Sequence, residues 1–86
     1  MHMPDQPITT AEYEVLKALA GFEQSPGMMF QKQSLKNKWC GASKGRQPPD
    51  FERAIDGLLA KGMLRENALR TMIGFTMAGY SQLSLR

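Results

Sequence analysis

Apolar residues recur at helical spacing through the first two thirds of this chain and alternate like a strand after that. Ala11, Val15, Ala18, Leu19 and Phe22 share one helical face, with Leu16 at its edge. Thr9 and Glu12 form a T-x-x-E capping box at the start, and Ile8 is placed to staple against Tyr13. Gly21 and the run Ser25-Pro26-Gly27 stop this first helix. Met28-Met29-Phe30 is too short to classify, and fits either a brief strand or the lead-in to the next helix. The second helix, from about Gln31 to Cys40, has a thin apolar face of Leu35 and Trp39, which leaves Lys32, Lys36 and Lys38 free to point outward. Trp39 reads as its core anchor rather than a base-stacking platform, because indole supplies a large buried area. Cys40 reads as a small core residue.

The stretch from Gly41 to Pro48 reads as a loop of Gly, Ser and basic side chains. The third helix follows, with Pro49 in its first turn and Asp50 as cap or dipole partner. Phe51, Ala54, Ile55, Leu58 and Leu59 then form a stripe at i, i+3, i+4, i+7 and i+8. Lys61-Gly62 ends it with a cation and a residue free to take positive φ. Met63 to Glu66 and Leu69 to Phe75 read as two strands, the second with Leu69, Thr71, Ile73 and Phe75 on one face. Asn67 suits a tight turn between them but Ala68 does not, so a longer loop is expected. Thr76 is placed to cap a last short helix holding Tyr80, Leu83 and Leu85. The predicted order is helix, helix, helix, strand, strand, helix: a mainly α domain with a small β-hairpin over residues 8–86, behind a loose arm at 1–7.

A chain of 86 residues is one small domain. It buries roughly 60–65% of its unfolded surface, which makes a modest core. Its 42% hydrophobic content is ordinary for a globular protein, and no apolar run approaches the ~20 residues of a membrane span. A cytoplasmic, reducing setting is expected, with no membrane partner. Cys40 is the single cysteine, so no internal disulfide forms, and Cys40 with His2 cannot supply four zinc ligands. Gly41-Ala42-Ser43-Lys44-Gly45 has the composition of a phosphate loop without its spacing or preceding strand. Glu52 and Asp56 share a helical face, but a surface pair of this kind is usually solvated. Neither cofactor nor metal is expected, and no enzyme activity.

The charge is segregated. The formal net charge is +3, yet Gln24 to Pro49 contains no acid and carries Lys32, Lys36, Lys38, Lys44 and Arg46. Clustered cations of this kind gain by neutralising phosphates; the plainer reading is a solvated lysine-rich face.

Two short motifs carry a family resemblance. Leu58-Leu59-Ala60-Lys61-Gly62-Met63-Leu64 looks like an L-x-x-K-G-hydrophobic exit from a recognition helix, and Phe75-Thr76-Met77-Ala78-Gly79 like an L-T-x-x-G exit from a wing, with Phe at the Leu position. In this order, one hairpin apart, they resemble the winged helix-turn-helix superfamily of bacterial transcription regulators, over residues 8–84. The resemblance implies double-stranded DNA as partner and the third helix in the major groove. Asp50, Glu52, Arg53 and Asp56 are then its outward positions, and Arg65 and Arg70 the basic residues of the wing. The implied phosphate and base contacts are Lys32, Lys36, Lys38, Lys44, Arg46, Arg53, Arg65 and Arg70. Against this, the third helix itself has a net charge of −1, from Asp50, Glu52 and Asp56 against Arg53 and Lys61. The first-turn acids complement the helix dipole by roughly 0.3–1 kcal/mol each but repel a phosphate backbone. The alternative is a winged-helix protein-interaction or dimerising module, which the methionine-rich composition also suits.

Overall fold

The computed structural model of the protein describes residues 8–22, 24–42 and 44–84. Among these residues the fold is mainly helical with a small antiparallel sheet. The order is α1 (Thr10–Ala20), β1 (Phe30–Gln31), α2 (Lys32–Ala42), α3 (Pro48–Ala60), β2 (Leu64–Glu66), β3 (Met72–Phe75) and α4 (Met77–Ser84). The expected order is therefore corrected by one element. β1 pairs with β3 through Phe30↔Ile73 and Gln31↔Met72, so the sheet runs β1-β3-β2 with β3 central. The loose arm and Leu85 lie outside the described residues.

The capping box forms as expected: the Thr9 hydroxyl accepts from the Glu12 amide at 3.1 Å, and the Glu12 carboxylate accepts from the Thr9 amide at 3.0 Å. Leu16 is not at the edge of the α1 face but fully buried with Val15 and Leu19. These pack with Leu35 and Trp39 of α2, Phe51, Ala54, Ile55 and Leu58 of α3, and Ile73 and Phe75 of β3 into one core. Cys40 lies half-buried against that core. α2 runs two residues beyond its expected end and α3 starts one earlier, which leaves only positions 43–47 between them. Asp50 caps α3, accepting from the Gln47 amide at 3.0 Å.

Two interlocked turns join the helices to the hairpin. At the end of α3, Gly62 takes φ +73°, its amide donates to Leu59 and the Met63 amide donates to Leu58. That is a Schellman stop, which needs a residue tolerant of positive φ. Across the hairpin base, the Thr76 hydroxyl donates to the Gly62 carbonyl at 2.6 Å and accepts from the Gly79 amide at 3.1 Å, capping α4. Gly79 sits so close to the Met63 carbonyl that a Cβ there would collide with it. The residues of the two short motifs thus hold each other.

The hairpin departs from expectation at its tip. β3 begins at Met72 rather than Leu69, and Leu69 is 80% exposed in the connecting loop. The Asn67 side-chain carbonyl accepts from the Thr71 and Met72 amides at 2.8 and 2.9 Å, and Arg70 takes φ +61°. The side-chain acceptor stands in for a two-residue turn that Ala68 would not allow.

Candidate nucleic-acid interface

The eight cations nominated from sequence fall into separate groups. Lys32 and Lys36 on α2 and Arg70 on the hairpin loop gather between α2, α3 and the hairpin, where they line a shallow pocket with Glu52 and Thr71. Lys32 is not free: its ammonium lies 2.9 Å from Glu66 and 3.6 Å from Glu52, with side-chain exposures of 13% for Lys32 and 11% for Glu66. Lys36 lies 3.2 Å from Glu52. Arg70 lies 3.1 Å from Glu66 and 4.0 Å from Asp56. The Lys32 hydrogen bond, aided by the Lys32 and Arg70 charges, holds the Glu66 carboxyl below its ordinary range against the opposing effect of burial.

Lys44, Arg46 and Arg53 line a second, larger cleft of about 510 Å³, bounded by the start of α1, the 44–47 turn and the start of α3. Arg46 stacks its guanidinium 4.3 Å over the Trp39 ring, donates to the Trp39 carbonyl at 2.9 Å and approaches Glu14 at 3.7 Å. Trp39 is 2% exposed and packs against Phe51, which makes it a core anchor. Its buried Nε1–H has no acceptor among the described residues. An unmet donor of that kind costs about 1–3 kcal/mol.

At about 100° per residue, Glu52 and Asp50 point to nearly opposite flanks of α3. The first cation group meets the Glu52 flank and the second the Asp50 flank. Between them, the outward side carries Arg53, whose side chain is 80% exposed, and Asp56, which Arg70 approaches from the hairpin.

The remaining two stand apart. The Lys38 ammonium lies 4.4 Å over the Phe22 ring and against Gly21, at the carbonyl end of α1. That position complements the helix dipole and gives Lys38 a structural role. Strand alternation puts Arg65 on the opposite sheet face from Glu66, where it reaches the Gly27 carbonyl at 3.4 Å. The expectation that the α2 lysines point freely outward is therefore corrected. Acids supplied by α3 and β2 occupy Lys32 and Lys36, and the end of α1 occupies Lys38. Sequence reasoning missed Glu14 and Glu66 as partners of these cations, because Arg46 and Lys32 lie far from them in the chain.

Among the described residues, no group of three or more His, Cys, Asp or Glu is arranged to hold a metal, and no helix is long and apolar enough to cross a membrane. Comparisons with protein-family models, curated proteins and solved structures return no match.

Proposed function

We propose that this is a winged helix-turn-helix domain that binds double-stranded DNA as a cytoplasmic transcription regulator, without catalysis of its own. The observation that carries the reading is the outward side of α3. Arg53, one turn before Asp56 on the helix, and Arg70, which approaches Asp56 from the hairpin at 4.0 Å, have side chains 80% and 67% exposed. Lys36 borders this surface on one flank and Lys44 on the other. The short connection from α2 to α3 and the hairpin locked to Gly62 by Thr76 support the winged-helix reading.

Exposed pairs are worth about 0–1 kcal/mol, so Arg70 exchanges Asp56 for a phosphate at little cost, while the half-buried Lys36 gives up Glu52 at a larger one. Lys32 and Arg46 stay with their internal partners, and Lys38 and Arg65 fall outside the footprint. With Lys36, Lys44, Arg53 and Arg70 on phosphates, the logarithm of affinity falls against that of salt with a slope of about −3 to −4. Anisotropy of a labelled mixed-sequence duplex measures this. Arg53→Ala weakens binding and alters sequence preference, while Lys36→Glu weakens it uniformly. No binding at low salt, or binding indifferent to both changes, defeats the reading.

The exposed side chains of Met77 and Tyr80 on α4 favour a second reading, a protein-interaction or dimerising module. Light scattering after size exclusion separates the two. A chain that self-associates tightly and ignores duplex DNA belongs to the second.

A further inference from the structure

We propose that the cleft between α1, the 44–47 turn and α3 is a binding site for a small phosphate monoester, with Arg46 as the residue that grips the phosphate. The inference goes beyond DNA binding: Arg46 lies outside the footprint above, while Lys44 and Arg53 are shared with it, and the duplex competition below separates the two. Arg46 is held on its inner side by the Trp39 ring and carbonyl, while among the described residues its outer nitrogen has only the 3.7 Å approach to Glu14. That approach is beyond hydrogen-bond length. Lys44 and Arg53 line the same cleft.

The other acids in the wall are committed. Asp50 accepts from the Gln47 amide, and Glu12 accepts from the Thr9 amide and from Lys61. Glu14 is therefore the competitor a ligand must displace. A monocarboxylate offers Arg46 nothing that Glu14 does not already supply. A phosphate monoester brings about −1.5 to −2 charges at neutral pH and fits the guanidinium fork with two oxygens. The volume of about 510 Å³ suits a small organic molecule, within the roughly 300–1,000 Å³ of such sites, and exceeds what a bare phosphate fills. Ala11 and Ala54 offer apolar wall to the organic part. Independently, Trp39 belongs to the wall beneath Arg46 and keeps a buried Nε1–H without an acceptor among the described residues. Because Arg46 stacks on the indole, a ligand that engages its guanidinium alters the surroundings of the ring.

Trp39 is the single tryptophan of the chain, so its emission reports directly on the cleft. The probes are ribose 5-phosphate, inorganic phosphate and ribose. Ribose 5-phosphate gives a saturable emission change, inorganic phosphate binds more weakly, and ribose gives none. Glu14→Gln removes the competitor and tightens binding by roughly threefold to tenfold, a direction that misfolding cannot mimic. Arg46→Lys, with its fold checked by circular dichroism, weakens binding about tenfold or more. No saturable change in either the wild type or Glu14→Gln overturns the proposal, as does Glu14→Gln binding no more tightly. Inorganic phosphate binding as tightly as the sugar phosphate overturns the organic ligand. Displacement of ribose 5-phosphate by a short duplex without terminal phosphates reassigns the cleft to backbone phosphates and overturns the small-molecule site.

Discussion

The Lys61 ammonium lies 2.5 Å from the Glu12 carboxylate, joining the end of α3 to the start of α1 across 49 positions of sequence. Glu12 is 7% exposed at its side chain and also completes the cap of α1. One carboxylate therefore closes a helix and clamps another to it. Glu12→Gln keeps the shape and removes the charge, and should cost about 1–3 kcal/mol. Urea denaturation of Glu12→Gln, Lys61→Met and the double variant measures the coupling, expected at about 1 kcal/mol or more. Additive single effects would mean the clamp does not act.

Gly57 sits on α3 where a Cβ would collide with that same carboxylate. Alanine at a helix interior is normally favoured over glycine by about 1 kcal/mol. Here Gly57→Ala should be neutral or destabilising, because Glu12 must leave Lys61 to make room. In a Glu12→Ala background the sign reverses, and Gly57→Ala stabilises by about 0.5–1 kcal/mol. Thermal melts of the four proteins check the reversal.

Glu66 gives the fold an acid limit. Its carboxyl is held below the ordinary 4.5 chiefly by the Lys32 hydrogen bond. A group with a depressed folded-state value contributes stability above its unfolded value and loses it as pH falls through the folded one. The contribution is complete at neutral pH and fades below about 4.5. Glu66→Gln should lower stability at pH 7 and flatten the loss below pH 4.5, measured by urea titration at stepped pH.

Lys38 separates structure from binding. Lys38→Gln removes the ammonium from Phe22 and from the end of α1, and should cost about 0.5–1 kcal/mol. Duplex affinity at physiological salt should stay within about twofold, since Lys38 faces Phe22 and the end of α1 rather than the proposed footprint. A large loss of affinity would place Lys38 on the DNA.

Leu58 is fully buried in the α3 stripe. Leu58→Ala should cost about 2–5 kcal/mol in chemical denaturation, through lost burial and the cavity left behind.

Much of the fold was readable because its signals are local. The α3 stripe buries Phe51, Ala54, Ile55 and Leu58, as its spacing predicts. Thr9 with Glu12, Gly62 and Thr76 each mark a boundary through chemistry confined to a few neighbours. β1 was only half readable: a brief strand around Phe30 was one of two readings, and two residues become a strand only through pairing with Ile73 and Met72 far along the chain. Leu69 misled for a related reason. Alternation extends β3 back to it, but Asn67 accepts from the Thr71 and Met72 amides and ends the ladder first. The charge layout was the least legible part. Lys32 looks free in sequence and meets its carboxylate 34 positions away. A run of cations without acids says nothing of which acids the fold will bring to it.

The shortest strand also carries a mechanical consequence. β1 runs directly into α2, the Lys32 amide donates to the Thr71 carbonyl at 2.9 Å, and the Lys32 ammonium grips Glu66. The hairpin is welded at its middle to the root of α2 as well as at its base to α3. The hairpin is thus tied at two points, and its place against α2 and α3 is set by both.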